Sequence, residues 1–171
     1  MHPNTTASDE ELVKLLRQKN IIIPDPEILG CEESWRKVVQ PSSLDLRTGN
    51  KGWRMKGSMR PQEGQDVLEL IGQYAVEDLD LVKGARLMRD EVYLVALQES
   101  INLDHGSFHA NAKSSSGRND LQVRLIADRN IYYDFINSTG ERKLYNEITS
   151  HSFHSFLNMG TPLNQLRYAL G

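Results

Sequence analysis

The residues best suited to chemistry on a small charged molecule form the block 113-KSSSGR-118, three hydroxyls and a glycine between a lysine and an arginine. Hydroxyls and turn amides can hydrogen-bond phosphate oxygens, and flanking Lys and Arg supply the countercharge. From Lys113 to Arg129 there are four basic residues (Lys113, Arg118, Arg124, Arg129) and two acidic ones (Asp120, Asp128), a local positive excess in a chain of formal net charge −3. A Ser/Gly linker would join polar segments, whereas this run lies between apolar stretches. The spacing does not fit a P-loop, and polar turns share the composition. From the residues alone, a phosphate cradle and a polar turn both stay open.

The histidines invite a metal reading. His105 and His109 are four apart, and His151 and His154 three apart. Gly106 interrupts 104-DHGSFHAN-111, so the one-faced helical pair of a zinc site is not expected there. His151 and His154 are expected on opposite faces of a strand. Cys31 is the single cysteine, which excludes an internal disulfide and a multi-cysteine zinc centre. It reads as a structural thiol, and no zinc is expected.

The elements that must position such residues follow from periodicity. Ser8 and Glu11 have capping-box spacing, and Leu12, Leu15 and Leu16 form one stripe, so residues 8–19 read as a helix. Two prolines and a glycine in IIIPDPEILG stop it. Beyond residue 20 the period changes to two. SLDLR, DLDL, EVYLVALQES, LQVRLIAD and KLYNEITSHSF read as strands, with turns at Gly49-Asn50, Lys83-Gly84 and Arg89-Asp90. Residues 51–73 are the least regular and read as a surface excursion. Trp35 and Trp53 read as core or interface residues. The expected fold is mainly β, a barrel or jelly roll with one leading helix, in a single domain over residues 1–171.

Composition narrows the function. The chain has 171 residues, 39% hydrophobic and 25% charged, enough for one domain with its own core. Its acidic balance argues against nucleic acid as a partner, and no apolar run approaches a membrane span. The polar start MHPNTTASDEE lacks the pattern of a secretion signal. A cytoplasmic location is expected.

Four segments together, 40-QPSSLDLR-47 with its following TGN, 113-KSSSGR-118, 127-ADR-129 and 144-LYNEI-148, resemble the deoxycytidine triphosphate deaminases of the dUTPase superfamily, most closely the first half of the long, two-copy bacterial form. The likeness runs from the leading helix to QLRY near residue 168. It implies a distorted, dUTPase-like β-barrel and a homotrimer whose active sites are shared between neighbouring chains. It also implies a nucleotide substrate carrying magnesium on its triphosphate. Matched residue by residue, it makes Ser114 the serine close to the reacting carbon, Arg118 the essential arginine and Ala127 the residue whose carbonyl helps hold the attacking water. Glu147 becomes the catalytic glutamate. Lys113, Ser115, Ser116, Gly117, Arg129, Tyr145, Asn146 and Gln165 are implied to contact substrate. Asp134, in 132-YYDF-135, is the candidate for the sugar 3′-hydroxyl, with Asp128 as the alternative.

That assignment has a chemical logic. Exchanging the amino group at cytosine C4 for oxygen needs a nucleophilic water, a base for its proton, and a route for that proton to departing ammonia. Zinc deaminases use an H-x-E and P-C-x-x-C signature, which is missing here, so one glutamate must serve as base and then as acid. Read without the resemblance, Glu147 is most simply a solvated strand carboxylate. Two features bear on the pocket. The stretch 137-NSTGERK-143 replaces the family's G-[WY]-x-G turn, and the resemblance implies a tail folding over the triphosphate that would lie beyond QLRYALG. Three readings follow in order: a dCTP deaminase, a dUTPase or bifunctional enzyme, and a non-catalytic nucleotide-binding trimer.

Overall fold

The structure, a computed structural model, describes residues 8–113, 120–152 and 154–170. Helix α1 (Asp9–Arg17) starts where the sequence places it. Glu11 N donates to Ser8 Oγ at 3.3 Å and Ser8 N donates to Glu11 Oε2 at 2.8 Å, so the capping box is complete. Leu12, Val13, Leu15 and Leu16 bury its apolar stripe. In chain order there follow β1 (Ile21–Ile22), a 3-10 turn (Pro26–Gly30), α2 (Glu32–Trp35), β2 (Val39–Gln40), β3 (Ser43–Met55), α3 (Val67–Tyr74), β4 (Ala75–Asp80) and β5 (Ala85–Leu87). The rest is strand: β6 (Val92–Leu103), β7 (Ser107–Ala112), β8 (Leu121–Ala127), β9 (Phe135–Ile136), β10 (Gly140–Ser150), β11 (Ser155–Leu157) and β12 (Pro162–Ala169).

Ten of these strands build one sheet in the order β8-β10-β6-β3-β12-β7-β9, with β1 on β6 and both β2 and β4 on β3. The β5–β11 pair stands apart. The ends of this path meet at Asp134. Its N–H donates to the Leu125 carbonyl at 3.0 Å, its Oδ1 accepts from Leu125 N at 2.7 Å, and its carbonyl accepts from Ala110 N at 2.9 Å. One residue thereby ties edge strand β8 to β7 and closes the sheet into a barrel. Asp134 sits at φ 60, a left-handed conformation that aspartate tolerates better than most side chains. The mainly β barrel with a leading helix is as the sequence implied.

Strand β3 runs through both halves of the barrel. Its first residues pair with β12, and from Thr48 onward it pairs with β6 and β4. A turn was expected at Gly49-Asn50; instead both residues lie inside β3. A Cβ at Gly49 would come 2.7 Å from the Ala96 carbonyl oxygen. This glycine serves close strand approach at a register shift, not chain reversal. The expected excursion at 51–73 is also corrected. β3 continues to Met55, and α3 buries Val67, Leu70 and Ile71 at helical spacing. His151 and His154 lie beyond the last residue of β10, so they do not alternate on a strand. Cys31 is exposed, its sulfur 3.1 Å from Ser34 Oγ.

Inside the barrel, Leu44, Leu46, Phe108, Leu125, Leu144 and Leu166 join the α1 side chains in one apolar cluster, with Trp35 packed at its margin. Tyr93, Val95, Val123, Ile148 and Leu163 form a second. A third, with Met55, Val67, Ile71, Leu94, Ile126 and Tyr145, lies under α3 with Trp53 against it. Arg47 closes the QPSSLDLR segment by pairing with Glu99 at 2.8 Å and Asp25 at 3.0 Å. Glu99 is buried, and that burial pushes its carboxyl up against the opposing pull of Arg47.

The seam can be tested directly. Asp134→Ala strands the Leu125 amide and places alanine at a left-handed φ, so urea unfolding should show a loss of about 2–4 kcal/mol. Asp134→Asn keeps an acceptor and should stay within about 1 kcal/mol of the unmutated chain. Burial pushes the Asp134 carboxyl up. Its contribution is therefore full below its unfolded value of ~3.9 and is lost as pH rises through the folded value. Between pH 4 and 7 the unmutated chain should lose stability relative to Asp134→Asn. An alanine variant as stable as the native chain would remove Asp134 from the closure.

Candidate active site

Glu147 sits near the middle of β10, opposite Leu94 of β6 and Arg124 of β8. Alternation along β10 puts Glu147 on the same face as Tyr145, the face covered by α3 and by the segment 56–66 that leads into it. The carboxylate is 3% exposed. Ser58 Oγ donates to Oε1 at 2.9 Å, Met59 N donates to Oε2 at 3.1 Å, and the Tyr133 hydroxyl donates to Oε2 at 3.4 Å. Arg124 is its neighbour across the strand pair but makes no ion pair with it. The guanidinium instead stacks on the Tyr133 ring, 4.6 Å from its centroid, while Arg60 lies 5.2 Å from that centroid. Glu147 is thus a buried carboxylate held by neutral donors alone among the described residues. Such a group can accept a proton without first breaking an ion pair.

The neighbouring implied residues scatter around it. Tyr145 lies under α3, and burial, reinforced by Asp128 and Asp66, pushes its hydroxyl up to about 12. Asn146 points to the barrel interior, fully buried, and accepts from Asn164 Nδ2 at 3.1 Å. Ala127 is buried opposite Leu144, three rungs from the Arg124–Glu147 pair, roughly 10 Å along the strand. Asp128 is engaged structurally, accepting from Val67 N at the start of α3 (2.9 Å) and from Lys143 N (3.4 Å). Arg129, at φ 54, pairs with Asp66 and donates to the Glu141 carbonyl. Asp134 stands next to Tyr133 at the barrel seam, with Oδ1 committed to Leu125 N.

A second group gathers on the other half of the sheet. Lys113 Nζ reaches Asp45 Oδ1 at 2.8 Å, and Asp45 is itself buried. Gln165 lies in register with Asp45 on one side and Asn111 on the other, and accepts from Ser43 Oγ at 3.3 Å. The QPSSLDLR segment therefore supplies Ser43 and Asp45 to the neighbourhood of Lys113 and Gln165. Ser114, Ser115, Ser116, Gly117 and Arg118 lie outside the described residues. Within one chain, Glu147 and Lys113 belong to different halves of the barrel.

Ser58, Met59 and Tyr133 were not foreseen as neighbours of Glu147. Ser58 falls in the stretch without periodicity and carried no signal. Tyr133 adjoined a candidate residue, but nothing in YYDF indicates that its hydroxyl turns toward β10. Among the described residues no group of three His, Cys, Asp or Glu side chains is placed to hold a metal, and no helix is long and apolar enough to cross a membrane.

A closed, mainly β barrel with one leading helix is an architecture of the dUTPase-like type. The chain belongs to the family described as the 2′-deoxycytidine 5′-triphosphate deaminase (DCD) N-terminal domain, whose model matches residues 8–171. It is similar to the crystal structure of 2′-deoxycytidine 5′-triphosphate deaminase from Agrobacterium tumefaciens, with 31% sequence identity and a TM-score of 0.86 over 99% of this chain. The match covers 49% of that enzyme, so this chain spans about half its length. The search of curated proteins gives no match.

The Lys113–Asp45 pair yields a stability prediction independent of any ligand. Lys113→Met leaves a buried carboxylate without its cation and should lower the unfolding free energy by about 1–3 kcal/mol. Adding Asp45→Asn should restore most of that loss. Urea melts of the two variants check it, and additive losses would mean the two side chains do not interact.

Proposed function

We propose that the chain takes part in metal-free hydrolytic deamination of dCTP to dUTP and ammonia, in pyrimidine deoxynucleotide metabolism, with Glu147 as the acid–base group. The observation that carries this reading is the Glu147 carboxylate, buried in a strand and, among the described residues, hydrogen-bonded only by neutral donors, in a member of the deaminase family. A water oxygen attacks cytosine C4 while one of its protons passes through Glu147 to N3. The C4–N4 bond then breaks as Glu147 takes the proton left on the new hydroxyl and delivers it to the departing amino group, leaving ammonia, the C4 carbonyl and N3–H. Acid–base catalysis of this kind contributes ~10²–10⁴ in rate.

The rest of the site is part of the same proposal. Ser114 and Arg118 work at the reacting carbon, and the Ala127 carbonyl helps hold the water. Lys113 and the serine run take the triphosphate, with Lys113 exchanging Asp45 for a phosphate oxygen. Magnesium rides on the triphosphate as part of the substrate. Gln165 and Arg129 line the nucleotide site, and Asp134 offers its free Oδ2 to the sugar. Because Glu147 and Lys113 lie in different halves of one barrel, neighbouring chains of a homotrimer complete each site. Light scattering on the purified chain should give three times the mass of one chain; a monomer would leave every site without a wall.

The deciding experiment incubates the purified chain with dCTP and with dUTP in the presence of magnesium and separates the products. Conversion of dCTP to dUTP supports deamination. Release of diphosphate from dUTP would point to a dUTPase or a bifunctional enzyme, and binding without turnover to a non-catalytic nucleotide-binding role. Glu147→Gln keeps the shape of the side chain but cannot accept the proton. It should bind dCTP within a few-fold of the unmutated chain and deaminate it ~10² or more slower. Folded Glu147→Gln protein that turned over dCTP at the unmutated rate would place the base elsewhere.

A further inference from the structure

We infer that Ser58 is a positioning residue for Glu147. The inference rests on the catalytic reading of Glu147 given above, but the geometry behind it concerns Glu147 alone. An ionised carboxylate offers about four acceptor positions, two on each oxygen. Three are occupied here: one on Oε1 by Ser58 Oγ at 2.9 Å, and two on Oε2 by Met59 N at 3.1 Å and the Tyr133 hydroxyl at 3.4 Å. Among the described residues, the one position left open lies on Oε1, beside the serine hydroxyl. A water that gives its proton to Glu147 meets it there. Met59 and Tyr133 leave Oε1 as the base, and Ser58 fixes the direction from which water approaches it.

Tyr133 shares the carboxylate with Ser58, their hydroxyl oxygens 3.2 Å apart. The Tyr133 ring is flanked by the guanidinium groups of Arg60 and Arg124. Tyr133 directly precedes Asp134, whose backbone is tied to β8 and β7. The order of support runs from the barrel seam to Tyr133, and from Tyr133 and Ser58 separately to the two oxygens of the carboxylate. Neither Ser58 nor Tyr133 needs to touch the nucleotide for this to matter, since misplacing a reacting group by about 1 Å can cost ~10²-fold in rate.

Two measurements on Ser58→Ala and Ser58→Thr test the inference. The first is the split between kcat and KM for dCTP. Ser58→Ala should lower kcat by ~10–100-fold with KM within about threefold, and Ser58→Thr, which restores a hydroxyl, should recover most of the loss. The second needs no turnover: carbodiimide-and-amine labelling of Glu147, followed by mass spectrometry of the peptide that contains it. Ser58→Ala should label Glu147 several-fold faster than the unmutated chain, at equal melting temperature, and Ser58→Thr should not. An unchanged labelling rate, or faster labelling with kcat unchanged, overturns the role given to Ser58. If the unmutated chain converts no dCTP, the proposed function fails, and the labelling comparison alone still decides whether Ser58 holds Glu147.

Discussion

The barrel depends on one aspartate performing a task usually left to a strand. β8 has β10 on one edge and would otherwise present its other edge to solvent, an arrangement prone to pairing with foreign chains. Asp134 supplies both halves of a ladder rung to Leu125, one with its backbone and one with its carboxylate, and passes its carbonyl to Ala110. Because the residue sits at a left-handed φ, the chain can fold back sharply enough for side chain and backbone to reach the same partner. The apolar clusters inside the barrel are shielded from water only if this closure holds. Tyr133, one residue earlier, inherits a fixed position from it.

Polarity inside the barrel is handled by pairing. Asn146 and Asn164 meet between the two interior apolar clusters, one on β10 and one on β12, and the Asn164 side chain also accepts from the Gln165 backbone. Glu99 is buried beside Arg47, which bridges it to Asp25. Truncating one member of such a pair leaves a buried charge or dipole uncompensated, which is far more damaging than replacing the pair as a unit. Glu147 follows a different rule, since its donors are neutral. In the same barrel Glu99 and Asp45 are tied to cations, whereas Asp128, Asp134 and the candidate base are held by neutral donors among the described residues.

Much of the architecture was legible in the sequence for physical reasons. The Ser8–Glu11 box and the leucine stripe specify α1, and alternation specifies the long strands, because burial of one face demands it. The glycine pair at 49–50 misled, since glycine marks both reversals and tight strand contacts, and only the partner strand decides which. Helix α3 was missed although Val67, Leu70 and Ile71 carry its spacing, because Gly72 and the polar approach from Pro61 obscured a helix of eight residues. At the site, Glu147 was reached through a resemblance of short motifs. Its surroundings were not, because hydrogen bonds spanning 89 and 14 positions in sequence leave no periodic trace.

Strand β12 lies in the middle of the sheet, between β3 and β7, although it is the last strand in the chain. A ribosome making this protein therefore delivers the two flanking strands long before the piece that joins them. Until residues 162–169 emerge, β3 and β7 each lack the strand they share, and the two apolar clusters that Leu163 and Leu166 join stay incomplete. An open strand edge is prone to pairing with foreign chains, so the interval before β12 arrives is when the nascent protein is most exposed to mispairing.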